Sequence, residues 1–186
     1  MPDLRPCADR APSAPAKKPL AVLIGTGAAA TLIAFVGSWE GKRNDPYQDI
    51  VGVWTVCYGE TRAPMRHYTD AECSEMLGNR LTDYAAPVLA RNPELKGHDN
   101  QVVAASSLSY NIGAANYARS TVAKRFSAGR WREACDAFLA WGGVTYSKKQ
   151  PGKVCVKRTT KPGWVCQVSG LLNRRKAERA VCLRGL

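Results

Sequence analysis

Histidine is nearly absent from this chain, with two in 186 residues, and acids are outnumbered, with 15 Asp or Glu against 27 Lys or Arg. Neither His67 nor His98 is placed to complete a metal site with the seven cysteines, no two of which lie within four residues of one another. Zinc takes its ligands in close pairs, so a structural zinc site is excluded. There is no Gly-rich phosphate loop and no basic helix with regularly interleaved aromatics, the usual signatures of nucleotide and nucleic-acid binding. No segment repeats, which sets aside solenoids and arrays. Neither a metal nor a nucleic-acid partner is expected.

The shortage of acids leaves a formal charge of +12 and a pI near 9.6, which predicts attraction to a polyanion such as nucleic acid, an anionic membrane face or an acidic cell wall. The excess is concentrated at the end, where residues 148–186 carry eleven Lys or Arg and one acid, Glu178. A solvated basic face would give the same count. Length allows one domain with a proper core.

Seven cysteines in a chain of this size point to disulfides in an oxidising compartment. Cys7 precedes a charge-free stretch at residues 20–36, and Cys57, Cys73, Cys135, Cys155, Cys166 and Cys182 follow it. That split suggests three bridges beyond a membrane and one free thiol left behind. Six cysteines allow fifteen pairings. The pairing expected is Cys57–Cys73, Cys135–Cys182 and Cys155–Cys166, the last closing a short Lys-, Thr- and Gly-rich loop that core burial could not order.

Residues 1–19 form a flexible basic leader containing Arg5, Arg10, Lys17 and Lys18. Residues 20–36 read LAVLIGTGAAATLIAFV; as a helix they reach roughly 26 Å, the short end for crossing a bilayer. Nine of the seventeen are Ala, Gly or Thr, so the run is weakly hydrophobic. A cleaved signal, a permanent anchor, a signal-arrest-release segment that inserts and later escapes, and a buried core helix are the competing readings. Cleavage after Ala30 or Ala34 would leave Glu40 almost at a frayed terminus, which favours arrest and release. The organisation expected is a leader at 1–19, a signal-arrest-release segment at 20–37 and a catalytic domain at 38–186.

Further on, Ile50 to Tyr58 are strand formers broken by Gly52, a small hairpin or meander over 45–60. Thr69 with Glu72 makes a capping box ahead of a helix over 69–90, with Pro87 and Pro93 punctuating its exit. Residues 98–117 read as a central core helix ending at Gly113. Ser120 opens a short helix through Phe126, and Trp131–Trp141 is amphipathic. Residues 142–169 read as a loop or a disulfide-tied hairpin, and Leu171–Leu183 as a final basic helix.

Three residues carry candidate chemistry: Glu40 beside Trp39, Asp49 nine positions on, and Thr55 six further. Sugar hydrolysis needs one carboxyl that holds a proton, a second that is ionised, and a group that orients water. Trp39 and the apolar run could desolvate Glu40 and favour its protonated form, while Asp49 sits among polar Gln48 and Asn44. Asp49 and Thr55 share a face of one continuous strand, or face each other across two strands if Gly52 turns the chain. Taken singly, each has a plain structural role: a helix-end carboxylate, a turn residue, a strand former.

Their order and spacing resemble the catalytic triple of phage-type lysozymes, glycoside hydrolase family 24. Tyr47, the run Gly52–Gly59, Tyr68-Thr69 with Glu72-Cys73, Ser109–Gly113, Ser120-Thr121 and the closing Gly170-Leu171, Arg174-Arg175, Glu178-Arg179 and Cys182 extend the likeness over residues 37–186. The resemblance implies an α+β fold with a small antiparallel sheet lobe, a larger helical lobe and an N-terminal apolar helix. It implies hydrolysis of the β-1,4 bond between N-acetylmuramic acid and N-acetylglucosamine in peptidoglycan by Glu40, Asp49 and Thr55, leading to host lysis. No cofactor is required, and a monomer is expected. The leader and apolar run match the arrest-release subgroup, held in the host inner membrane with a cytoplasmic N-terminus and later released to the periplasm. Some relatives carry Cys where this chain has Asp49 and use a thiol cage for control; Asp49 leaves control to membrane topology. The stretch Lys148–Cys166 is longer than the family's usual link to the last helix. The competing class is a basic, membrane-tethered protein that binds wall polymer or nucleic acid without catalysis.

Overall fold

A computed structural model of the protein describes residues 18–49, 51–158 and 162–186, so most of the leader, with Cys7, and Ile50 lie outside the described residues. The apolar run is divided between α1 (Leu20–Ile24) and α2 (Thr26–Gly37), parted by Gly25 at φ +87°. That backbone conformation suits glycine, which has no Cβ to clash. Leu20, Ile24, Ala28, Leu32 and Val36 recur every fourth residue and are buried, while Val22 on the other side is 69% exposed. Spacing of four puts side chains on one helical face, and this face packs on α3 and α4 as part of the core. Among the described residues no helix is long and apolar enough to cross a membrane.

The first sheet pairs β1 (Arg43–Gln48) with β2 (Trp54–Cys57) in antiparallel register, Tyr47 opposite Thr55 and Gln48 opposite Trp54. Gly52, at φ +82°, turns the chain between them. Gly37 at the end of α2 fits under the ring of Tyr58, where an added Cβ would meet the aromatic carbons at 3.2 Å. The sheet lobe thus rests directly on the end of the N-terminal helix.

The long helix α3 (Asp70–Arg91) begins at the capping box: Glu72 N–H donates to Thr69 Oγ1, and Thr69 N–H donates to Glu72 Oε2 at 2.8 Å. It buries Cys73, Leu77, Leu81, Ala85 and Val88 along one stripe. Pro87 lies inside this helix rather than at its exit, and the helix continues to Arg91. The central helix α4 (Asp99–Ile112) is buried on all sides from Gln101 to Ser109. It ends at Gly113, as expected, and the chain restarts there as α5 (Ala114–Arg119). Ser120 caps α6 (Thr121–Ser127) by accepting the N–H of Ala123. The amphipathic stretch 131–141 is α7 (Trp131–Asp136) followed by a 3₁₀ turn, Ala137–Trp141.

Residues 143–167 form a second sheet in place of a loop or simple hairpin. Its strands are β3 (Gly143–Tyr146), β4 (Cys155–Lys157) and β5 (Trp164–Gln167), in the order β3-β5-β4 and all antiparallel. The last helix, α8 (Ser169–Cys182), packs on α4. The disulfides are Cys57–Cys73, Cys135–Cys182 and Cys155–Cys166, the pairing expected.

Candidate active site

Glu40 sits just beyond the C-terminus of α2. The chain there is still tied to the helix, with Trp39 N–H on the Val36 carbonyl at 2.9 Å and Glu40 N–H on the same oxygen at 3.2 Å. Trp39 packs toward Phe35, with ring centroids 6.4 Å apart. The group that touches the Glu40 carboxylate is a cation: Arg174 Nη1 donates to Glu40 Oε1 at 2.8 Å. The apolar surroundings expected from Trp39 are therefore only part of the environment. Arg174 is nearly buried, at 6% exposure, and Glu40 keeps 29%, open enough to reach a substrate.

Arg174 belongs to a polar cluster inside the helical lobe. Its Nε lies 3.4 Å from Glu178 Oε1, which also accepts from Arg175 Nη2 at 2.8 Å and from Ser107 on α4 at 2.7 Å. Glu178 and Arg175 are fully buried. Burial pushes the Glu178 carboxyl above its ordinary value, opposed by the Arg175 charge and the Ser107 hydrogen bond. Burial likewise pulls the Arg175 guanidinium below its own, opposed by Glu178. Spacings of three and four on α8 place Arg175 and Arg174 beside Glu178. Sequence reading noted this Arg-Arg…Glu pattern without assigning it to the site. The signal available was three charges at helical spacing in a segment that also supplies core residues Val181 and Cys182. Nearby on α4, burial chiefly pushes the Tyr110 phenol up, with Arg80 opposing and Glu40 adding to the effect.

Asp49 closes the β1–β2 turn. Its Oδ1 accepts the N–H groups of Val51 and Val53, both at 2.9 Å, and its own N–H donates to the Val53 carbonyl at 3.0 Å. Since Tyr47 is opposite Thr55, alternation places Asp49 on the same face as both, one diagonal step from Thr55. Of the two geometries weighed from sequence, the turned chain is the one found. Thr55 is 3% exposed, and its hydroxyl donates to the Val53 carbonyl at 3.0 Å. The fold thus gathers Asp49 and Thr55 on one hairpin face, and ties Glu40 to the last helix by Arg174. An open groove of about 830 Å³ between residues 60–66 and α3 is lined by none of the three. Among the described residues no group of three or more His, Cys, Asp or Glu could hold a metal ion.

An acid just beyond α2, an Asp- and Thr-bearing hairpin and a helical lobe behind them make a lysozyme-like arrangement. The family model for phage lysozyme matches residues 37–178, and the chain belongs to that family; it is a muramidase. It is 34% identical over 180 residues to the SAR-endolysin of Enterobacteria phage P21, covering 91% of this chain and 96% of that one. It is 37% identical over 151 residues to the SAR-endolysin of Bacteriophage PS119, covering 78% and 77%. Among solved structures, a P22 lysozyme mutant matches with a TM-score of 0.61 and 26% identity, over 83% of this chain and 96% of that one.

Proposed function

We propose that this muramidase cleaves peptidoglycan with Glu40 as general acid, Asp49 as the ionised carboxylate and Thr55 as the group that orients water. The observation that carries the reading is the seat of Glu40, held by Arg174 at 2.8 Å where α2 meets the sheet lobe. Glu40 gives its proton to the leaving glycosidic oxygen. Asp49 steadies the positive charge that develops on the sugar. The Thr55 proton is committed to the Val53 carbonyl, so its oxygen can only accept. A water bonded to it donates a hydrogen inward and turns a lone pair toward the anomeric carbon.

Residues 20–36, on the same proposal, first lie in the host inner membrane with the N-terminus in the cytoplasm. Release into the periplasm lets α1 and α2 enter the core. Burial of Leu32 and Val36 supports this, because a protein body lacking that helix would have an open cavity and no seat for Glu40. Cleavage after Ala30 or Ala34 would remove part of the same stripe, so the uncleaved chain is the active form.

The test is turbidity of outer-membrane-permeabilised cells together with the chemistry of the released sugars. Glu40→Gln lowers the rate at least a hundredfold, the lower bound for loss of a general acid, in a protein that still folds. Equal lysis by the variant removes Glu40 from the mechanism. Anhydro sugar ends in place of reducing ends would show a transglycosylase.

A further inference from the structure

The sheet β3-β5-β4 has no part in seating Glu40, Asp49 or Thr55, yet it is built with care. Residues 143–168 contain six cations (Lys148, Lys149, Lys153, Lys157, Arg158, Lys161) and no acid. Register pairs Tyr146 with Trp164 and Trp164 with Lys157, so all three stand in one row on one face. Lys149 lies over the Trp164 ring at 5.9 Å and Lys153 over the Tyr146 ring at 5.5 Å. Two half-buried aromatic rings are thereby flanked by three lysines on a single face. The Cys155–Cys166 bridge fixes β4 to β5 across that row's neighbour. The sheet leads straight into α8, where Arg174 stands five residues after Ser169. At 1.5 Å per residue that is roughly 8 Å along the helix from the root of the sheet to the residue that holds Glu40.

We propose that this face is a second docking surface for the substrate, one that takes the acidic peptides branching from the glycan next to the strand being cut. Flat aromatic faces suit the C–H faces of sugars and peptide side chains. Lysines held over aromatic rings, with no acid in the stretch to neutralise them, present a fixed row of cations to carboxylates. The partner is thus an anionic glycopeptide, in preference to a bare glycan or a lipid surface.

This rests on the peptidoglycan reading, but the experiment reads binding rather than cleavage. The full chain is sedimented on ice with intact sacculi, with sacculi stripped of their peptides by an amidase, and with vesicles of anionic phospholipid. The comparison variant is Lys149→Gln, Lys153→Gln, Lys157→Gln, three exposed side chains whose loss leaves the core and disulfides alone. Each exposed ion pair is worth a factor of about two, so three weaken binding to intact sacculi about eightfold. The wild type's advantage disappears on stripped sacculi, and it fades as salt is raised to about 1 M. Equal pelleting of wild type and variant on intact sacculi overturns the proposal. So does an equal loss on stripped sacculi, or a larger loss on the vesicles. Failure of the muramidase reading would show separately, as intact sacculi that are bound but never dissolved on warming.

Discussion

Replacing Leu32 by Ala separates two views of the N-terminal segment, because they predict opposite signs. If the segment is only a membrane anchor, removing a leucine weakens anchoring and hastens lysis. The structure says otherwise. Leu32 is fully buried between α2 and the helices it packs on, and Leu→Ala in a core costs about 2–5 kcal/mol. The same change costs only about 0.5 kcal/mol of membrane insertion. On the proposed release from the membrane, the released form therefore loses about 1.5–4.5 kcal/mol more than the inserted one, and the equilibrium shifts toward the membrane by roughly ten- to a thousandfold. Lysis is delayed. Val22→Ala supplies the control: at 69% exposure it contributes little to the core but loses similar insertion energy, so it leaves lysis timing unchanged or early. The assay is a lysis curve after induction, with membrane and soluble fractions probed at intervals. Purified Leu32→Ala is also checked for activity at 25 °C, to show that it still folds. Early lysis by Leu32→Ala, matching Val22→Ala, would refute core entry as the driving force for release.

Three further outcomes follow from the same structure. Glu178→Gln leaves the fully buried Arg175 without its carboxylate and costs about 3–5 kcal/mol, lowering Tm by roughly 6–20 °C in calorimetry; Glu178→Leu with Arg175→Met recovers most of it, and no recovery would mean that packing dominates. Removing the Cys135–Cys182 bridge, which spans 47 residues, costs about 4 kcal/mol on the loop-entropy estimate, read as a lower denaturant midpoint with a steeper slope, because the freed unfolded chain exposes more surface. Glu72 is held at about 2 chiefly by Arg66, with Thr69 adding hydrogen bonds. Its stabilisation is present above its ordinary value near 4.5 and is lost as pH falls through about 2, so Glu72→Gln is less stable than wild type at pH 6 and equal to it at pH 2.

Local signals in the chain carried much of this fold. The capping box at Thr69 and Glu72, the hairpin around Gly52 and the cap at Ser120 were legible, because each depends on residues close in sequence; the three disulfides match the pairing expected, although fifteen were open to six cysteines. The class of enzyme was legible from the likeness to phage-type lysozymes. Other features depend on contacts made at long range. Pro87 sits inside α3, since tertiary packing on both sides of it outweighs one lost N–H. Residues 143–167 became a sheet through pairing of β3 with β5, about twenty residues apart, which no single window shows. The Glu40 contact with Arg174 joins positions 134 apart, and only the folded chain brings them together. The apolar run could be read as a membrane segment or a core helix because both environments reward the same side chains; the break at Gly25 and the exposed side at Val22 are visible only in the packed form.

That 134-residue separation has a consequence for how the protein is made. A ribosome adding 5–20 residues each second needs roughly 7–27 s to travel from Glu40 to Arg174. Throughout that interval the nascent chain holds the acid without its partner, and the helix that supplies Ser107 waits for Glu178. The cluster closes only when the last fifteen or so residues have emerged. A product cut short before Arg174 therefore lacks the side chain that holds Glu40, and Ser107 lacks its carboxylate partner.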